Sequence, residues 1–127
     1  MLNGLTLAYI GDAVYELAIR KHLISQGLTK VNDLHNQAIK YTQASAQALA
    51  ALKLVDSYYT KDEINTFKRG RNQSATHKPK NTDVSTYNKS TGFEAVLGHL
   101  YLDNKQDRLN NIIFKTIQFI DELVDNN

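Results

Sequence analysis

The chain has no cysteine, a single proline and only six glycines in 127 residues. Without cysteine it can form no disulfide, needs no oxidising compartment and cannot bind zinc through thiolates. With Pro79 as the lone proline, little in the sequence interrupts helices. No apolar run approaches the ~20 residues of a membrane span. The N-terminus also lacks the basic region and apolar stretch of a secretory signal. A soluble, cytoplasmic protein without membrane attachment is expected. Missing too are a glycine-rich phosphate loop, a serine-nucleophile motif and any convincing alternating strand. The length suits one domain, residues 1–127, with a core large enough to need no metal or disulfide.

What is present begins with charge. The formal net charge is only +2, but Lys68, Arg69, Arg71, Lys78 and Lys80 fall within thirteen residues that contain no acid, so the remainder carries a net −3. A basic segment on a mildly acidic body is an electrostatic footprint for a polyanion, although many charge runs are only solvated surface.

Helical spacing runs through most of the chain. Leu5, Ala8, Ala13, Leu17 and Ile24 recur in a first helix that Gly27 stops. A second starts near residues 29–32 and carries Leu34, Ala38 and Tyr41. The alanine-rich stretch from Ala44 to Leu54 is a strong helix former whose small side chains permit close packing. Thr60 to Glu63 reads as a capping box opening a helix with Ile64 and Phe67. From Gly70 to about Tyr87 the pattern fails, which predicts a long loop of functional use. Helix returns from Gly92 to Leu102, and from Arg108 to Val124 through Leu109, Ile112, Ile113, Ile117, Ile120 and Leu123. The fold class is all-α.

Two mostly apolar runs, Leu7 to Glu16 and Ser90 to Tyr101, each hold an acid close behind a glycine. A carboxylate among apolar side chains is costly unless paired, so Asp12 and Glu94 ask for a partner. Glu16 has an ordinary one in Arg20, four residues on. Asp12 lacks such an explanation and is a poor choice in a helix interior. Glu94 has two readings: the last residue of a Thr91–Glu94 capping box, or half of an acidic pair across two helices. Such a pair suits Mg²⁺, a hard cation that takes oxygen ligands and keeps several waters. An ion of that kind activates water and stabilises charge on a phosphate under attack. The four histidines show no metal-ligand spacing: His22, His35 and His99 fit packing or surface roles, whereas His77 sits in the basic segment and can meet phosphate. Tyr9, Tyr15, Tyr41, Tyr87 and Tyr101 are expected at core edges rather than as base-stacking platforms.

At these residues a family resemblance emerges. Tyr9-Ile-Gly-Asp-Ala-Val14 resembles the signature helix of the ribonuclease III catalytic domain, and Phe93-Glu-Ala-Val-Leu-Gly98 its second acidic motif. With Lys68-Arg-Gly-Arg-Asn72, Lys78-Pro-Lys-Asn-Thr-Asp83 and Ser90-Thr-Gly-Phe-Glu94, the chain is similar to Mini-ribonuclease III, the short bacterial branch lacking a double-stranded-RNA-binding domain.

The resemblance implies an all-helical homodimer whose subunits form a valley for double-stranded RNA. Asp12 takes the place of the principal catalytic aspartate and Glu94 that of the metal-binding glutamate. Each acidic cluster would cut one strand with Mg²⁺, leaving a 5′-phosphate and a 3′-hydroxyl. The family's task is trimming the large-subunit (23S) ribosomal RNA precursor, helped by a ribosomal protein. Lys68, Arg69, Arg71, His77, Lys78 and Lys80 are the expected RNA contacts. With no separate binding module implied, affinity falls to the dimer valley and the basic segment. The chain departs from the wider family at Leu5, Ala8 and Thr91, where acids are usual. Waters, the Thr91 hydroxyl or RNA phosphate oxygens are expected to fill those positions. The signature helix begins barely a turn after Met1, which leaves room for a preceding segment. Two other classes remain open at this point: a ribonuclease-III-like module that binds RNA or ribosomes without cutting, and a helical scaffold. Metal-dependent cleavage separates the enzyme from both, and RNA affinity separates the module from the scaffold.

Overall fold

The structure is a computed structural model that describes residues 2–73 and 78–126. Among the described residues there are six helices and no strand: α1 (Gly4–Ser25), α2 (Val31–Thr42), α3 (Ala44–Ser57), α4 (Lys61–Asn72), α5 (Val84–Leu102) and α6 (Gln106–Asp125). None is long and apolar enough to cross a membrane.

Helix α5 is the centre of the fold, packed by α1, α3 and α4. From Ser90 to Leu100 it is buried at nearly every position, leaving Glu94 and His99 as the partly accessible exceptions. A helix covered on all sides has no polar face. Its N-terminal half reads instead as polar and β-branched, and this is where sequence expectation and structure part. The expected loop from Gly70 to about Tyr87 is taken up by helix at both ends. Helix α4 continues to Asn72, and α5 starts at Val84, eight residues before Gly92. Asp83 caps it, accepting from the Thr86 amide at 2.8 Å and the Thr86 hydroxyl at 2.9 Å. The Thr91–Glu94 capping box therefore does not exist. Thr91 lies mid-helix, and its hydroxyl donates to the Tyr87 carbonyl at 3.1 Å.

The box at Thr60 does form. The Thr60 hydroxyl accepts from the Glu63 amide at 3.2 Å, and the Glu63 carboxylate accepts from the Thr60 amide at 2.8 Å. Arg108 on α6 then clamps Glu63, with Nε at 2.8 Å from Oε2 and Nη2 at 2.7 Å from Oε1. The core lies between α5 and the other helices. Tyr15 meets Phe93 edge to face at 5.0 Å, an arrangement that ring quadrupoles favour. The Tyr15 hydroxyl donates to the Tyr41 carbonyl at 3.0 Å, and Tyr41 in turn donates to Asp121 at 2.6 Å, tying α1, α2 and α6 together.

Helix α1 is a helix as expected, but a different face is buried. Its inner residues are Gly4, Leu7, Ala8, Gly11, Tyr15, Ile19 and Leu23. Of the apolar positions read from the sequence only Ala8 belongs to that face, while Leu17 is 61% exposed and Leu5, Ala13 and Ile24 also face out. The helix is apolar on two sides, so period alone could not choose between them. Tyr9, expected at a core edge, is 83% exposed, and Tyr101 is also exposed.

Candidate active site

Helices α1 and α5 cross with their backbones in contact, and glycine makes this possible. A Cβ on Gly11 would stand 1.8 Å from the Glu94 carbonyl oxygen, and one on Gly98 would stand 1.9 Å from that of Leu7. No side chain fits at either place. Asp12 follows Gly11 and Glu94 supplies the carbonyl that Gly11 touches, so the crossing itself carries the two acids together. The Asp12 carboxyl lies near enough to Glu94 to raise its proton affinity. The expected convergence of Asp12 and Glu94 on separate helices is therefore what the structure contains.

Burial differs from expectation. Asp12 is exposed at the edge of the crossing, because the residue turned into the helix contact is Gly11; Glu94 is half-buried. Desolvation, then the charge of Asp12 and its carboxyl contact, push the Glu94 carboxyl up to about 9. Glu16 adds a smaller push in the same direction, and a hydrogen bond from Gln47 works against them. The Glu16–Arg20 pair predicted from spacing is present at 3.7 Å, on the surface, where such pairs contribute little.

No group of three or more acids, histidines or cysteines gathers among the described residues. At the three positions where the wider family carries acids, Leu5 is exposed, Ala8 is buried, and the buried Thr91 gives its hydroxyl proton to Tyr87. The donor set is thus two carboxylates, one solvent-facing and one whose proton affinity is raised by desolvation and by the acid beside it. That fits a Mg²⁺ ion, which uses one or two carboxylates and completes its shell with water and phosphate oxygens.

Gln47 on α3 is the site residue that motif reading missed. It is 2% exposed, its Oε1 accepts from the Ser90 hydroxyl at 2.6 Å, and its amide works against the rise in Glu94's proton affinity. The available signal was one polar side chain set among alanines that α3 buries: Ala46, Ala48, Ala50 and Ala51.

The basic residues do not all lie in a loop. Lys68, Arg69 and Arg71 occupy the end of α4, and only Lys78 and Lys80 lie in the segment before α5. His77 falls outside the described residues. Gly70, between the two arginines, packs on α5 so closely that a Cβ there would meet the Gly92 Cα at 2.9 Å. The basic end of α4 is therefore docked two residues before Glu94 in the chain. Lys68 is exposed. Arg69 instead donates to the Leu2 carbonyl, and Arg71 lies 5.8 Å over the Phe67 ring with its Nε donating to Asn72.

An all-helical frame that brings an aspartate and a glutamate together across a glycine-lined crossing is that of the ribonuclease III catalytic domain. The family model described as "Ribonuclease III domain" matches residues 5–105, and the chain belongs to this family of double-strand-specific endoribonucleases. Within it the chain stands with the short Mini-ribonuclease 3 proteins. The Mini-ribonuclease 3 of Streptococcus pneumoniae is 48% identical over 122 residues, covering 95% of either chain. Those of Enterococcus faecalis and Staphylococcus aureus are 45% and 42% identical, covering 95% and 96% of this chain and 92% of each relative. A crystal structure of a Fusobacterium nucleatum protein superposes with a TM-score of 0.82 at 29% identity, over 92% of this chain and 93% of that one.

Proposed function

We propose that this ribonuclease cuts double-stranded RNA with Mg²⁺ held between Asp12 and Glu94, in the maturation of the large-subunit (23S) ribosomal RNA precursor. The observation that carries the metal assignment is the meeting of the two acids with no cation of the described residues acting on Glu94. When bound, Mg²⁺ supplies an activated water and charge neutralisation at the scissile phosphate. The protein's own contribution is placement. Asp12, exposed at the rim, can reach both the ion and the substrate phosphate. Glu94, half-buried, holds its side of the site from within. Cleavage breaks the bond between phosphorus and the 3′-oxygen, leaving a 5′-phosphate and a 3′-hydroxyl.

Lys68, Arg69, Arg71, His77, Lys78 and Lys80 are the proposed contacts to RNA phosphates. A-form RNA offers them shape and 2′-hydroxyls rather than readable base edges, so cleavage positions follow the RNA's helical ends and defects more than its sequence. The working unit is a homodimer. The outer face of α1, with Tyr9 and Leu17, adjoins a concave apolar surface of about 260 Å³ that includes Ile10, Val14, Tyr101 and Ile113. Exposed apolar surface of this kind is what a second copy covers. A large-subunit ribosomal protein is the proposed helper, and the cytoplasm the place of action.

The test is cleavage of long double-stranded RNA in Mg²⁺ and in EDTA, beside a single-stranded control. Cleavage of the duplex alone, dependent on Mg²⁺ and with 5′-phosphate ends, supports the reading. Binding without cleavage under all conditions would favour a module that holds RNA without cutting, the reading to which a site of only two acids points. Accumulation of 23S precursors with unprocessed ends in cells lacking the protein tests the ribosomal assignment.

A further inference from the structure

Helix α1 opens with amides that have no acceptor within their own helix. Asn3 takes one of them, its Oδ1 accepting from the Thr6 amide at 2.9 Å. The Leu5 amide donates instead to the Oε1 of Gln73 at 2.7 Å, a residue 68 positions along the chain. Gln73 is where the chain leaves α4 in extended conformation. Four residues before it, Arg69 donates to the Leu2 carbonyl. The end of α4 thus grips the start of α1 at two points, accepting at one and donating at the other.

The approach is close enough to need glycine. A Cβ on Gly4 would stand 2.7 Å from the Gln73 Oε1 and 2.7 Å from the Gly70 Cα. On the other side, a Cβ on Gly70 would meet the Ala95 Cβ at 2.8 Å. The last turns of α4 are therefore held between α1 and α5, the helices that carry Asp12 and Glu94. Those same turns carry Lys68, which is exposed, and Arg71. On the α1 side, polar attachment comes from Gln73 and Arg69.

We infer that Gln73 is a positioning residue for the substrate: with Arg69 it locks the basic end of α4 onto α1 and so fixes Lys68 relative to Asp12. The inference rests on the proposed phosphate contacts of α4. An arrangement fit for RNA that is present only part of the time lowers affinity by the fraction present, and one net hydrogen bond changes that fraction by about 3-fold or more. Bound RNA restores the arrangement, so the chemical step is not slowed once the duplex is in place. Because Gln73 is uncharged, its loss removes no phosphate contact and leaves the salt slope of binding as it is.

The experiment compares wild type, Gln73→Met and Lys68→Ala in the full chain. Duplex-RNA affinity is measured in EDTA across a salt titration, together with KM and the saturating single-turnover rate in Mg²⁺ and the melting temperature. Gln73→Met keeps length and neutrality but removes the acceptor. It should weaken binding and raise KM by about 3-fold or more, with the salt slope and the saturating rate of wild type. Lys68→Ala should instead lower the slope by about 1. A Gln73→Met protein with wild-type affinity and KM, beside a Lys68→Ala protein of reduced slope, overturns the inference alone, since a helix cap without a role toward RNA would alter only the melting temperature. A reduced slope in Gln73→Met would mean that contacts are lost rather than misplaced, and also overturns it. If Gln73→Met does not fold, Gly4→Ala decides on the same readouts, because its methyl would enter the space of the Gln73 Oε1 from the other helix. A Lys68→Ala protein with unchanged affinity and slope would remove the α4 contacts themselves, and this inference with them.

Discussion

Two glutamates in this molecule are partly withdrawn from water, and they have opposite fates. Glu63 closes the capping box of α4 and takes two charge-assisted hydrogen bonds from Arg108. Burial alone would raise its proton affinity, but Arg108 and the Thr60 amide outweigh that, and its carboxyl stays below the usual range. Glu94 is held against another acid and receives only a neutral amide, and its carboxyl is pushed up to about 9. The fold thus supplies a cation to the acid that joins helices and withholds one from the acid at the α1–α5 crossing. A carboxyl left short of counter-charge, in a protein able to provide it elsewhere, is what the proposed Mg²⁺ would answer.

Neutralising Glu94 is the sharpest way to break the comparison. Glu94→Gln should reduce duplex cleavage by more than the ~100-fold upper range for losing an outer-shell partner. Its melting temperature should not fall, because the amide keeps the side chain's size and brings no charge beside Asp12. Gly11→Ala comes next. Its methyl would enter the space of the Glu94 carbonyl oxygen, and overpacking of this kind costs about 1–3 kcal/mol or more. Urea denaturation should show that loss, and parting of the helices should lower cleavage with it.

Arg108→Ala reverses the Glu94 pattern. It strands a buried carboxylate and should cost about 2–3 kcal/mol, while cleavage per folded molecule and its Mg²⁺ midpoint stay unchanged. The pH dependence has a definite sign. Because folding lowers the proton affinity of Glu63, the folded state binds fewer protons there than the unfolded state. The stabilisation is complete above the unfolded carboxylate range and is lost as pH falls through the folded value. Wild type should therefore lose more stability than Arg108→Ala on acidification below about pH 4.5, as read by melting temperature.

The smallest effect belongs to the basic residues. Replacing Lys68, Arg69 and Arg71 together is a poor probe, since Arg69 holds the Leu2 carbonyl and Arg71 lies on Phe67. Alanine at Lys68, Lys78 and Lys80, all exposed, should weaken duplex binding and reduce its log–log salt slope by about 1 per lost phosphate contact, with no change in folding. An unchanged slope would remove those lysines from the RNA interface.

Much of this was legible in the sequence because it is local. The Thr60–Glu63 box, the Glu16–Arg20 pair and the apolar stripe of α6 depend on residues three or four apart. The acids of the site were visible as charges out of place in apolar runs, each close to a glycine. What was hidden is non-local. The buried face of α1 could not be told from its apolar outer face, because the choice depends on Gly11 and Gly98 admitting α5. The start of α5 was obscured because its first turns are polar and β-branched, and the cap at Asp83 carries no apolar period behind it. Gln47 was invisible because its hydrogen-bond partner, Ser90, lies 43 positions away.

The most direct test of the central claim is the single-turnover rate of duplex-RNA cleavage by wild type, Asp12→Asn and Arg108→Ala at equal folded concentration in saturating Mg²⁺. The account predicts that Asp12→Asn is folded yet fails to cleave, whereas Arg108→Ala melts earlier yet cleaves at the wild-type rate while folded. An Asp12→Asn protein that cleaves as fast as wild type would contradict it.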